Sequence, residues 1–134
     1  MEKIMSYYFA KTVTGKSFDD VVDNVTDALK NEGFGILNDI DIRETFKKKL
    51  DKDFRNYRIL GACNPHLARQ ALQAEDKIGT MLPCNVIVQQ TDGSVEVAAV
   101  DPAASMQAVD NSALKSVAET VREKLKRVID ALGQ

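Results

Sequence analysis

The chain has no tryptophan, one histidine, two cysteines and three prolines among its 134 residues. Each scarcity removes a class of explanation. Two cysteines are too few for the disulfide framework of a small secreted domain. A single histidine, His66, limits acid–base catalysis near neutral pH to one obvious group. With 18 Lys and Arg against 20 Asp and Glu, the net charge of −2 gives no electrostatic case for nucleic acid or for an anionic membrane surface. No apolar run approaches the roughly 20 residues needed to cross a bilayer. Met1-Glu2-Lys3-Ile4 lacks the apolar stretch of a signal peptide, so the expected compartment is the cytoplasm. Ser-His-Asp arrangements, phosphate loops and H-E-x-x-H are all missing. Gly33-Phe34-Gly35 precedes a strand instead of following one, which makes it a helix stop and not a nucleotide fingerprint.

What is present suits one domain spanning residues 1–134. Hydrophobic residues make up 44% of the chain and charged residues 28%, the balance of a globular protein and not of a disordered one. The length is enough for a core without covalent staples.

Tyr7 to Val13 reads as a first strand, rich in aromatic and β-branched residues. Ser17 with Asp20 resembles a capping pair. Phe18, Val21, Val22, Val25, Ala28 and Leu29 then recur at helical spacing until Gly33, where a left-handed cap is wanted. A second strand is expected over Phe34 to Ile42, with Ile36, Ile40 and Ile42 alternating against polar neighbours. A short helix through Glu44 to Leu50 presents Phe46 and Leu50 on one side, with Lys47-Lys48-Lys49 on the solvated side. Phe54 to Gly61 forms a third strand.

Asn85 to Gln90 and Ser94 to Val100 flank Thr91-Asp92-Gly93, a hairpin signal because Asp and Gly tolerate positive φ. Val100-Asp101-Pro102 ends that strand and turns the chain. The last helix is capped by Asp110 or Asn111 and carries an apolar stripe from Leu114 to Leu132. The order β-α-β-α-β-α-β-β-α predicts an α+β, two-layer sandwich: a mostly antiparallel or mixed sheet of about five strands with helices on one face.

Leu60 to Asn85 organises the rest. Both cysteines lie in it, each followed by asparagine and each within two residues of a proline: Ala62-Cys63-Asn64-Pro65 and Leu82-Pro83-Cys84-Asn85. Asn64-Pro65 is a helix start, because Asn caps free N–H groups and Pro at the first helical position gives up a donor that has no partner anyway. Cys63 thus precedes a helix N-terminus, where the dipole favours a thiolate. Cys84 opens a β-branched run and marks the first residue of a strand. A standard crossover from that helix would leave the cysteines at opposite ends of the sheet. Eight extended residues reach about 27 Å, further than a 12-residue helix of roughly 18 Å, so the Asp76–Pro83 link could also bring the chain back. The length of that link favours the return, with the two cysteines meeting.

LGACNP before an alanine-rich helix, GTMLPCNVIVQQ, a hairpin, and Asp101-Pro102 with Met106 downstream resemble the bacterial and archaeal domain of unknown function 302 family over nearly the whole chain. The resemblance implies a small α+β domain and a homodimer, and it brings no biochemical activity. Edge strands that need cover also favour a dimer.

Three functional classes follow from the residues. The favoured one is a dimeric module binding a small molecule or signal, its site edged by the two Cys-Asn corners: Cys63, Asn64, Cys84 and Asn85, with Asp101 nearby. The second is a metal site on Cys63, Cys84 and His66 that would hold zinc or another thiophilic ion, since Cys-x-x-His puts a thiolate and an imidazole within reach of one metal. A fourth ligand would have to be a carboxylate such as Asp101, or come from across a dimer. The third is a thiol-dependent enzyme or redox protein with Cys63 as nucleophile. Each has a plain counterpart: free cysteines pack well as small buried residues, a histidine in the first helical turn is most simply solvated, and Asn64 and Asn85 serve as a cap and a turn ligand.

Overall fold

The hydroxyl of Ser17 accepts the Asp20 N–H at 3.1 Å and starts the first helix, α1 (Phe18–Asn31), as the capping pair anticipates. The computed structural model describes residues 6–133, beginning with strand β1 (Tyr8–Val13). After α1 come β2 (Gly35–Asp41), α2 (Ile42–Leu50) and β3 (Tyr57–Cys63). Helix α3 (Pro65–Ala74) runs into a 3-10 segment (Asp76–Met81). The chain closes with β4 (Cys84–Thr91), β5 (Ser94–Val100), the short α4 (Pro102–Ser105) and α5 (Ser112–Asp130).

The strands form one sheet in the order β1-β5-β4-β3-β2, with every neighbouring pair antiparallel. The fold is therefore α+β, as the element order predicts. Gly93, with φ +73, turns the β4–β5 hairpin, whose last pair is Thr91 opposite Ser94. Val86, Val88, Val95 and Val97 face Val25 and Leu29 of α1 and Leu125 and Val128 of α5, and all eight are at most 1% exposed. Burying a leucine such as Leu29 or Leu125 stabilises the fold by about 1.5–3 kcal/mol. Among the described residues, neither α1 nor α5 covers the opposite sheet face; Tyr8, Ile59, Ile87, Ala98 and Val100 lie on it, none fully buried.

Four local expectations need correction. The third strand continues past Gly61 to Cys63. The alternation expected of β2 is broken by a slip in register between Ile36 and Asn38. Ile36 stands opposite Ala62 on the helix side, whereas Ile40 stands opposite Ile59 on the open face and is 43% exposed. One extra residue inverts the facing of everything after it. Helix α2 buries no residue: Phe46 packs edge-on against Phe54, with centroids 5.1 Å apart, and Leu50 is 60% exposed. Asp101-Pro102 starts a helical turn, α4, beyond the simple bend expected there.

The link after Cys63 returns the chain to the end it left. Strand β4 lies antiparallel beside β3, with Cys84 opposite Ala62. The return is not made by an extended link. Helix α3 packs on α5, and the 3-10 segment folds back beneath it. Two asparagines fasten α3 at its ends. Asn64 accepts the Leu67 N–H on Oδ1 at 3.3 Å and donates from Nδ2 to the Glu32 carbonyl at 3.4 Å. Asn111 caps α5 by accepting the Leu114 N–H at 3.0 Å and donates from Nδ2 to the Ala74 carbonyl at 2.7 Å. Each side chain starts its own helix and holds the end of the one before it in space.

Candidate functional site

Where β3 ends and β4 begins, the core divides. The main cluster lies between the sheet and helices α1 and α5; a smaller one gathers Ala71, Ile78, Met106, Leu114 and Ala118. A cavity of about 320 Å³ occupies the seam between them. Its sheet-side wall includes Phe34, Ala62, Cys63 and Cys84, its other walls come from α3, Met106 and α5, and Leu37 stands at its edge.

Each of these side chains arrives for a local reason. Cys84 and Ala62 are cross-strand partners on the helix side of the sheet, so both point inward. Cys63 follows Ala62 at the end of β3, immediately before the Asn64 cap, and is half-buried. Leu37 is the residue left over in the β2 slip, and it lines the cavity although it is 66% exposed. Gly61 must be glycine: a Cβ there would collide with the Asn38 side chain and lie 2.8 Å from Pro83 Cγ.

The cavity is lined by apolar side chains, the two thiols and the Met106 thioether, with Asn64 the one polar side chain. No Asp, Glu, Lys, Arg or His is among its lining residues. Asn64 contributes to the wall, but both ends of its amide already hold helix ends. Burial, followed by the proximity of Cys63, pushes the Cys84 thiol up to about 11 from an ordinary 9.0. Cys84 is therefore a protonated thiol at neutral pH, a wall atom rather than a thiolate.

Of the residues singled out in the sequence, the structure brings Cys63, Asn64 and Cys84 to this one cavity. Asn85 points to the other sheet face and borders a neighbouring recess of about 290 Å³ that shares Pro83, Cys84, Pro102 and Met106 with the main cavity. Asp101 is elsewhere. It caps α4, accepting the Ala103 N–H at 3.0 Å, and pairs with Arg122 Nε at 3.3 Å, while the Arg122 guanidinium lies 5.1 Å from the Phe9 ring centre. His66 is exposed on the first turn of α3 and is not among the residues lining the cavity. Among the described residues, no three His, Cys, Asp or Glu side chains gather into a set able to hold a metal ion. Sequence reasoning missed Leu37, Met106 and Ala118 as cavity residues. Only Leu37 carried a signal, a large apolar residue out of phase with its strand.

A family model described as "Domain of unknown function DUF302" matches residues 9–132. The chain belongs to this family. The DUF302 fold is also seen in a crystal structure of an uncharacterized conserved DUF302 protein from Bacillus stearothermophilus. It is similar to this chain at 26% identity with a TM-score of 0.87, covering 94% of this chain and 98% of that one. Comparison with curated proteins gives no match. The DUF302 match spans every residue that lines the cavity, from Phe34 through Val121. No helix among the described residues is long and apolar enough to cross a membrane.

Proposed function

We propose that this protein is a cytoplasmic, homodimeric module that binds a small molecule in the cavity edged by Cys63, Asn64 and Cys84. The observation that carries the reading is the cavity itself: about 320 Å³ at the boundary of two apolar clusters, with both of the chain's thiols in its wall. Binding sites are typically concave, mostly apolar and few per protein. The two free thiols suit a reducing compartment. The sheet face turned away from α1 and α5, with Tyr8, Ile87 and Val100 among its residues, supports a second copy of the chain as its cover. The donor set supports metal binding less well, since His66 lies outside the cavity and, among the described residues, no third ligand joins the two thiols.

The test is a mixed panel of charged and uncharged small molecules, scored by thermal stabilisation of the wild-type chain and of Ala68→Trp. Ala68 is half-buried in the cavity wall, so an indole there fills the space. At least one compound should raise the wild-type melting temperature and leave the variant's unchanged. A panel that stabilises neither protein, or both equally, refutes a site in this cavity.

A further inference from the structure

Resting on that reading of the site, the geometry points to the class of ligand: an uncharged, elongated apolar molecule whose length is set by Met106. Three observations converge. First, the lining holds no ionisable group other than the two thiols, and burial keeps Cys84 protonated. An ionised carboxylate, ammonium or phosphate entering here would shed water without gaining an opposite charge, a heavy cost. Nucleotides, amino acids and sugar phosphates do not suit such a wall. Second, Asn64 is the one polar side chain in the wall and it is neutral; with Oδ1 on the Leu67 N–H and one Nδ2 hydrogen on the Glu32 carbonyl, it has a single uncharged N–H left to offer, which does not offset a buried charge. Third, an apolar cavity of about 150 Å³ is enough to take up benzene. The volume of about 320 Å³ therefore suits roughly two such rings, or a chain of on the order of ten carbons.

Met106 gives the site its length limit. It lines both the main cavity and the recess of about 290 Å³ beyond, and it shares that partition with Pro83, Cys84 and Pro102. Two of those four are rigid rings, and Cys84 is held in the β4 ladder. Met106 alone is long and unbranched, and it is 6% exposed, so its side chain is the adjustable part of the partition. Beyond it, Ser105 and Asn85 border the recess with uncharged polar groups, suited to a hydroxyl or ester at the far end of a longer ligand.

The experiment uses the full chain and the uncharged dye N-phenyl-1-naphthylamine, displaced by primary n-alkanols and by n-alkanoates of matched length at pH 7.5. Alkanol affinity should rise roughly three- to fourfold per methylene until the cavity is full at on the order of ten carbons, then level off. Alkanoates of equal length should bind at least about tenfold more weakly. Met106→Ala should move the plateau two or three carbons longer, and Met106→Val serves if the alanine variant does not fold. Equal affinity for alkanoates, or an unmoved plateau in a folded Met106 variant, overturns the inference. A charged compound that stabilises the wild type but not Ala68→Trp overturns the ligand class alone and leaves the cavity as the site. Dissociation of a dimer by Leu37→Glu, with no alkanol bound, assigns the cavity mouth to a second copy and overturns it too.

Discussion

The Asn64 side chain fills the space that a side chain on Gly33 would need. A Cβ at position 33 would lie 2.9 Å from Asn64 Nδ2, and the Gly33 backbone sits at φ +88, where other residues are strained. Gly33 ends α1, Asn64 starts α3, and the two meet beside the Glu32 carbonyl that Asn64 holds. Gly33→Ala should therefore cost about 1–3 kcal/mol, from backbone strain plus displacement of the cap. Asn64→Ala should cost about 1–2 kcal/mol through loss of the cap and of the Glu32 contact. Because part of each loss is the same contact, the double variant should be less destabilised than the sum. Urea midpoints at constant slope measure this, and strict additivity would show that the two residues act independently.

Cys84 makes stability fall at high pH. The folded state holds the Cys84 proton more tightly than the unfolded chain, whose thiol titrates at its ordinary 9.0. The resulting stabilisation is complete below about pH 9 and is lost as the pH rises through about 11. The loss amounts to on the order of 2 kcal/mol. Urea unfolding at pH 8 and pH 11 should show a steeper loss for wild type than for Cys84→Ala, with other titrating groups cancelling in the comparison. Equal losses would show that Cys84 is not held protonated by its surroundings.

The two thiols should differ in reactivity. Cys63 is half-buried at the end of β3, while Cys84 is 8% exposed and protonated at neutral pH. Iodoacetamide at pH 8 should modify Cys63 at least about tenfold faster, since the thiolate is the reactive form and access limits the rest. Peptide mass mapping over time reads the order. A cavity ligand should slow the Cys63 reaction; comparable rates at both sites without ligand would contradict the burial described for Cys84.

The open sheet face should carry the dimer contact. Ile87 and Val100 lie among its half-buried residues, and Tyr8 is 44% exposed. Ile87→Lys places a charge at its centre and should yield a monomer by sedimentation at micromolar concentration, with the melting profile of the isolated subunit otherwise intact. A wild-type chain that already sediments as a monomer at that concentration removes the homodimer from the proposal.

Much of this architecture was legible because apolar spacing and turn chemistry agree along the chain. Ser17, Gly33, Asn64-Pro65 and Gly93 act where their backbone preferences place them. The meeting of Cys63 and Cys84 was legible only as one of two topologies, since a link's length does not reveal its direction. Helix α3 resolves the ambiguity by packing on α5, a long-range contact with no local signature. The β2 slip was only half legible for a related reason: Leu37 stands out of phase beside Ile36, but where the extra residue falls is defined by the partner strand. Asp101 misled in another way. A buried acid beside a proline can serve a ligand or a helix cap equally well, and only the Ala103 and Arg122 partners distinguish them.

The slip at Leu37 leaves β2 with divided allegiance. Ahead of it, Ile36 faces the helices; behind it, Ile40 looks out from the opposite surface. Deleting Leu37 would close the bulge and withdraw that side chain from the cavity mouth, while Ile40 would keep its place opposite Ile59 on the outer surface. An edge strand of seven residues thus carries the rim of the cavity and the texture of the outer face on separate side chains. Evolution could reshape the rim at this spot while leaving the outer face untouched.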